Sequence, residues 1–336
     1  MKVFRPSISV IIAVYNVASY LERCCVTLFE QTLNHIEYIF IDDASTDNSI
    51  EILENCIKKY PDRAQYVKII KHKKNLGIGR TRQEGVNNSE GEYIIHCDPD
   101  DWIDLDLYET LYNQAKKDDA DVVICRIKRH SKENTETIHS YKNIIETKGI
   151  LYALAHKIII GGLWDKLIRT NICKENYFFT ELNFLEDIFM HIDIFQKERK
   201  ISFINNKFYH YFQREGSLIH RPVNIESIRK LPLAIKKFET LILSNKNPDI
   251  SKLYPHFINM RIMERAYFSQ SRNISNKEFR HMFGKIGKYI WMSNYPLKYK
   301  ILIFMASKGF YHQTLWVNEW IKTGSRLKQK MKSRMH

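Results

Sequence analysis

Three carboxylates crowd the end of one apolar run, where Ile94-Ile95-His96-Cys97 leads directly into Asp98-Pro99-Asp100-Asp101. Such a run reads as a buried strand. Like charges gathered at its end repel one another unless a cation sits among them. Carboxylates without Cys or His alongside favour a hard ion, Mg2+ or Mn2+, which keeps waters and shares its coordination with phosphate oxygens. The cluster therefore points to a metal and a phosphorylated ligand together. The plainer reading is an acidic strand-to-helix turn in which one Asp caps the helix.

The elements that must position these acids alternate along the first 126 residues. Ser7–Val14 is a β-branched strand ending at Tyr15-Asn16, and Ser19 with Glu22 has capping-box spacing for a helix carrying Leu21, Cys25, Leu28 and Phe29. Glu37–Ile41 forms a second strand that stops at Asp42-Asp43. A helix with Ile50, Leu53 and Ile57 on one face follows, and then a strand over Val67–Ile70. The Gly-containing Asn75–Gly79 segment leads into a short helix through Arg82. Glu92–Cys97 is strand four, Leu107, Leu111 and Ala115 mark a helix, and Asp121–Arg126 is a further strand. This alternation predicts parallel strands joined by right-handed crossovers, an open α/β sheet with helices on both faces. Ligands of such sheets bind outside the carboxyl ends of the strands. Asn16, the Asp42-Asp43 pair and the Asp98 cluster all fall at those ends.

Residues 127–142 read as a polar surface excursion before a helix near Ile144–His156, and Gly161–Leu167 as a flexible site wall containing Trp164 and Lys166. Glu186-Asp187 opens a helix, Lys207–Phe212 is an aromatic strand, and the chain beyond Arg221 is helical. With 336 residues, 44% of them hydrophobic, the chain can bury a full core. The excess of Lys and Arg over Asp and Glu, 52 against 38, implies anionic partners. No apolar run approaches the roughly 18 residues that span a bilayer, and the start of the chain lacks a secretory signal. The expected location is cytoplasmic. The six cysteines lack Cys-x-x-Cys spacing and read as buried thiols, which speaks against disulfides and zinc.

Taken together, Val10–Asn16, Asp42–Asp47, Gly91-Glu92-Tyr93, Asp98–Asp101 and Glu186-Asp187 resemble a bacterial family 2 glycosyltransferase of the capsule, exopolysaccharide and O-antigen type. The resemblance spans roughly residues 6–220. It implies an α/β GT-A fold, a Rossmann-like mixed sheet that binds nucleotide-sugar with helices on both faces, followed by a C-terminal helical region. Residues 1–221 would then be the catalytic domain, with a nucleotide-binding half over 1–126 and an acceptor half over 127–221, and 222–336 a basic helical region. By the same likeness the reaction is inverting transfer from a nucleotide diphosphate sugar, a UDP-sugar, to a saccharide or lipid-linked acceptor in surface polysaccharide synthesis. Asp42 and Asp43 match the acids that read base and ribose, and Ala13, Tyr15 and Asn16 lie under the nucleotide. Arg82 matches a helix-borne arginine near the nucleotide, and Lys166 is a second candidate cation for the leaving group. Asp98, Asp100 and Asp101 match the family's Asp-x-Asp signature. Asp98 would approach the ribose and Asp100 would hold Mn2+ or Mg2+, while Asp101 is a second ligand through water or a cap. Asp187 matches the general base, because an acceptor hydroxyl needs a carboxylate to take its proton, and Glu186 would orient hydroxyls.

Against this stands the reading of Glu186 and Asp187 as partners of a helix dipole. Trp164 stacks on a sugar ring or packs in the core, and Arg214, Ser217, His220 and Arg221 are candidates for phosphate or metal contacts. The aromatic stretch from Ile301 to Ile321 and the cations from Lys322 to Arg334 have the composition of an interfacial helix, giving 301–336 a peripheral contact with anionic membrane at its inner face. A packed helix with a basic tail is the alternative. A nucleotidyltransferase would place a Gly-rich basic loop after the first strand, where Tyr15-Asn16-Val17-Ala18 stands. A non-catalytic nucleotide-sugar or nucleic-acid binder leaves Asp187 without a task, and acids at the rim repel a polyanion, so no nucleic-acid partner is expected.

Overall fold

The β-branched run Ile8–Val14 forms β1, flanked by two parallel neighbours, β2 (Ile36–Asp42) and β4 (Tyr93–His96). In the computed structural model, which describes residues 6–131, 134–138, 141–213, 225–269 and 272–332, β1 and β2 are almost wholly buried. Each fully buried Ile or Val there contributes roughly 1.5–3 kcal/mol relative to exposure, so these strands supply much of the drive to fold. Ile8, Val10, Ile12 and Val14 face one core with Leu21, Cys24 and Leu28 from the helix Ala18–Phe29 and with Leu111 and Ala115 from Leu107–Asp118. On the other face the helix Ile78–Asn87 comes so close that a Cβ on Gly85 would lie 2.3 Å from Ile11 Cγ2. All six cysteines are buried free thiols.

The sheet continues with β3 (Val67–Lys71), β5 (Trp102–Ile103), β6 (Val122–His130), β7 (Thr135–Ile138), β8 (Lys166–Arg169) and β9 (Ile201–Phe212). Its order is β3-β2-β1-β4-β8-β6-β9-β5, with β7 paired to β6. The expectation of a parallel sheet holds for β1 to β4 and again where β6 pairs with β9, and it fails at β5, β7 and β8, which pair antiparallel. The chain of Asp121–Arg126 does not lie beside β4; β8 intervenes, antiparallel to both β4 and β6, with Ile168 opposite Ile94 on one side and Val122 on the other. Four residues are too few to show strand periodicity, and the neighbouring glycines make the segment read as a wall. Residues 127–142 also depart from the predicted excursion, since β6 runs on to His130 and turns back into β7. The segment reads as polar because β7, paired with β6, is an exposed edge strand whose Thr135, Glu136 and Thr137 meet solvent. The helix expected near Ile144–His156 is split into Lys142–Lys148 and Ile150–Ala155 at Gly149, whose φ of 84° an L side chain rarely adopts.

The capping box expected from Ser19 and Glu22 is not formed. The first helix is capped from outside, by Ser49 Oγ accepting from Val17 N at 2.9 Å and Asp47 Oδ2 accepting from Ala18 N at 3.0 Å. These bonds tie the carboxyl ends of β1 and β2 together.

By compactness the chain divides into two units, Met1–Leu154 with Ile159–His220, and Ala155–Ile158 with Arg221–His336. The second is built from helices joined by turns, with no strand among its described residues, and closes on aromatic pairs such as Phe279 with Tyr311, stacked at 4.1 Å, and Phe238 with Phe257 at 5.5 Å. Among the described residues no helix is long and apolar enough to cross a membrane.

Candidate active site

Ala13, Tyr15 and Asn16 line the end of β1, with Tyr15 exposed and Asn16 in the left-handed region at φ 51°. Asn16 Oδ1 accepts from Thr46 N at 2.8 Å, and its own N–H donates to Ser45 Oγ, so the β1 and β2 rims are cross-braced. Asp42 Oδ1 accepts from Ser45 N at 2.9 Å. Asp43 is more heavily engaged. Its carboxylate accepts from Leu76 N at 2.7 Å and Gly77 N at 2.9 Å, and pairs with His72 Nδ1 at 2.7 Å, while Glu84 holds the other ring nitrogen at 2.6 Å. Burial opposes the His72 imidazolium, but the two carboxylates outweigh it and raise its pKa.

The turn that Asp43 holds starts the helix bearing Arg82. Arg82 is buried and donates to two acids at once, Asp98 Oδ1 at 3.0 Å and Glu186 Oε1 at 2.7 Å. Burial works against its charge, yet Asp98, Glu186 and Asp187 together hold it firmly protonated. Glu186 and Asp187 open the helix Glu186–Phe195 behind Leu185, whose φ is 63°. Burial, and then the adjoining Asp187, push the Glu186 carboxyl up to about 7 against the pull of Arg82. Asp187 is half-buried, with Oδ1 accepting from Ile188 N at 2.7 Å. Small residues let these parts meet. A Cβ on Gly79 would stand 3.6 Å from Glu186 Cβ, and one on Gly161 would lie 3.7 Å from Asp187 Oδ2 and collide with Ile188.

The aspartate cluster is clamped by β9. Tyr209 donates its hydroxyl to Asp101 Oδ2 at 2.7 Å and accepts from Asp98 N at 3.0 Å, and Asp101 Oδ1 accepts from Phe212 N at 2.7 Å. Asp101 is therefore fully buried with a bond on each oxygen, so a metal would share those lone pairs. Burial, with Asp100 and Asp98 beside it, pushes its carboxyl well above the usual range. Among the described residues no three His, Cys, Asp or Glu side chains are placed to hold a metal by themselves.

The model of glycosyl transferase family 2 matches residues 9–177. This chain belongs to that family. It is 34% identical over 254 residues to the cholesterol galactosyltransferase of Borreliella burgdorferi, an alignment covering 71% of this chain and 68% of that protein. It is 29% identical to the glycosyltransferase GlyG of Streptococcus pneumoniae, over 75% of this chain and 86% of the other. The fold resembles that of S. aureus TarS 1–349 in complex with UDP-GlcNAc, with a TM-score of 0.68 and 19% identity over 95% of this chain and 92% of that one. The chain is thus a glycosyltransferase with a GT-A-like α/β fold.

Two residues of this family 2 enzyme are enclosed, Lys166 where a cation for the leaving group was expected and Trp164 in one of the two roles open to it. Lys166 is buried and donates to Asp165 at 2.5 Å and to Gly162 O at 2.9 Å, which braces the glycine turn beside Asp187. Trp164 is not an open sugar platform. Its ring is buried and stacks on Tyr209 at 4.3 Å and Tyr211 at 5.5 Å. Arg214, Ser217, His220 and Arg221 lie outside the described residues.

Tyr209 and Arg23 are functional neighbours that residue type and spacing alone do not reveal. Arg23 donates to the Asp100 carbonyl at 2.7 Å while its guanidinium lies 3.8 Å over Trp102 and 5.0 Å over Phe212. The opposite face of that cluster holds His210, stacked on Trp102 and bonded to Asp104 and His130. The available signal was a lone cation within the apolar stretch of the first helix, and the alternation of Tyr209 and Tyr211 in the last strand.

Proposed function

We propose that the chain inverts configuration at the sugar it transfers, moving it from UDP to a hydroxyl of a saccharide or lipid-linked acceptor in surface polysaccharide synthesis. The observation that carries this reading is the Arg82 bridge. One guanidinium joins Asp98, in the cluster suited to a leaving diphosphate, to Glu186, next to the candidate base Asp187. The UDP-GlcNAc complex of TarS supports UDP as the carrier. In domain terms, 1–126 takes the nucleotide, 127–221 the acceptor, and 222–336 is the basic helical region.

Asp187 takes the proton of the acceptor hydroxyl as it attacks, because an alcohol far below its pKa is a poor nucleophile. Glu186, partly protonated near neutrality and fixed by Arg82, orients hydroxyls. Ala13, Tyr15 and Asn16 form the floor under the nucleotide. A carboxylate offers about four lone-pair sites, and Asp43 already uses three of them on Leu76, Gly77 and His72. Asp42 is accordingly the better acceptor for ribose or base, with Asp43 holding the turn that carries Arg82. Asp98 lies toward the ribose, and Lys166 supports the turn beside Asp187. The donor chemistry of Asp100 and Asp101, carboxylate oxygens without Cys or His, suits a hard divalent ion. Asp100 would hold Mn2+ or Mg2+, with Asp101 beside it and diphosphate oxygens completing the set. When bound, the ion neutralises charge building on the departing diphosphate.

The test is incubation with a panel of nucleotide sugars and Mn2+, with release of UDP from UDP-sugars as the expected result. Pyrophosphate released from a nucleoside triphosphate would instead make the chain a nucleotidyltransferase. Asp100→Ala should abolish the Mn2+ dependence of UDP affinity measured by calorimetry; an unchanged dependence would move the metal elsewhere.

The same proposal includes peripheral membrane contact. Trp316 and Trp320, four residues apart on the helix Tyr311–Lys332, are 66% and 72% exposed, and Val317 and Phe310 are exposed with them. Exposed indoles followed by Lys322, Arg326, Lys328, Lys330 and Lys332 match a helix lying in an anionic interface. Trp316→Ala/Trp320→Ala should lower co-sedimentation with phosphatidylglycerol vesicles while leaving donor hydrolysis intact. Equal sedimentation would return the stretch to a packing role.

A further inference from the structure

Charge is divided very unevenly along the chain. Residues 221–336 contain 23 Lys and Arg against 6 Asp and Glu, whereas the first 220 contain 29 against 32. The whole cationic excess therefore belongs to the helical part. Within it, an open groove of about 830 Å3 is walled by Lys277, Arg280, His281, Lys285 and Lys308. Its one carboxylate, Glu278, is already matched, pairing with Arg229 Nε at 2.7 Å. Among the described residues Lys277, Arg280, Lys285 and Lys308 form no ion pair, so the groove retains its positive charge.

The groove is built by close approach of two segments. The helix Asn276–Phe283 is capped by Ser275, whose Oγ accepts from Glu278 N at 3.1 Å. The segment after it contacts the turn Ala306–Phe310 through residues that only a missing side chain allows. A Cβ on Gly287 would fall 1.9 Å from Ser307 Oγ, and Gly309, at φ 107°, sits so that its Cβ would meet the Arg280 stem at 3.4 Å. This fit brings Arg280 and Lys308 into the lining of one groove.

We propose that this groove binds phosphate esters, from a lipid headgroup or a soluble phosphorylated molecule. Four exposed cations around one concavity suit a group that carries more than one negative charge and presents oxygens in several directions. A phosphate does this and a single carboxylate does not. None of its lining residues belongs to the proposed transferase centre, and the proposal does not rest on the transferase reading.

The test uses inorganic tripolyphosphate and calorimetry, with UDP saturating the nucleotide site. Lys277→Ala/Arg280→Ala/Lys285→Ala should weaken tripolyphosphate binding on the order of a hundredfold, taking about fivefold per cation. A control lacking as many cations elsewhere in the same helical part, Lys246→Ala/Lys288→Ala/Lys298→Ala, should bind nearly as the parent does. Lys308→Glu should weaken binding by itself, while Lys277→Arg/Lys285→Arg should retain it. A second arm sediments the same variants with phosphatidylglycerol and with phosphatidylcholine vesicles. Loss of phosphatidylglycerol binding in the groove variant assigns the phosphate to lipid, and loss with tripolyphosphate alone assigns it to a soluble molecule. Equal loss in groove and control variants, or no loss with either probe, overturns the proposal.

Discussion

Asp187→Asn is expected to bind UDP with the parent's affinity and to transfer sugar to acceptor at least about a hundredfold more slowly, the lower end of what a positioned base supplies. The amide keeps the shape of the carboxylate and can still accept from Ile188 N, so the helix start should survive. What it loses is the ability to take a proton. The pH profile discriminates a base from a structural acid. In the parent, transfer should fall on the acid side as Asp187 and its neighbour Glu186, with a carboxyl near 7, gain protons. In the variant the residual rate should lose the part of that limb that belongs to Asp187. Normal turnover with unchanged pH dependence would remove Asp187 from the chemistry and leave it as a partner of the helix dipole.

How much of this was legible in the sequence depends on the distance over which each feature is determined. The first four strands announce themselves locally, because β1, β2 and β4 are runs of Val, Ile and Tyr bounded by polar rims. The position of β8 is not local. It is fixed by Ile168 pairing with both Ile94 and Val122, and four residues flanked by Gly161 and Gly162 carry no period of their own. The site divides in the same way. Asp98, Asp100, Asp101, Glu186 and Asp187 are conspicuous as residue types. Their partners are not, since Arg82 reaches an acid 104 residues away and Tyr209 one 108 residues away. Asp43 shows a further limit. A carboxylate at a strand end has the same residue type whether it faces a nucleotide or, as here, two backbone N–H groups and a histidine.

Replacing Arg82 by Ala should cost about 3–5 kcal/mol of stability, the usual cost of removing one partner from a buried ion pair, because Asp98 and Glu186 both lose their cation. Arg82→Lys should recover only part of this, as an ammonium lacks the fork that reaches two carboxylates at once. The pH dependence gives the sign. The Glu186 carboxyl is raised in the folded protein from its ordinary 4.5 to about 7. The stability linked to that group is therefore present below about 4.5 and lost as pH rises through 7. Without Arg82 the one cation opposing that rise is gone, so the loss should deepen and extend above pH 7. Thermal melts should accordingly show a deficit for Arg82→Ala that is smaller at pH 5, where Glu186 is protonated in both proteins and the lost Asp98 pair remains, than at pH 8. A deficit equal at both values would mean that the charge of Glu186 contributes nothing, leaving Arg82 to act through Asp98 and packing, and the link between the two halves of the site would then not be electrostatic.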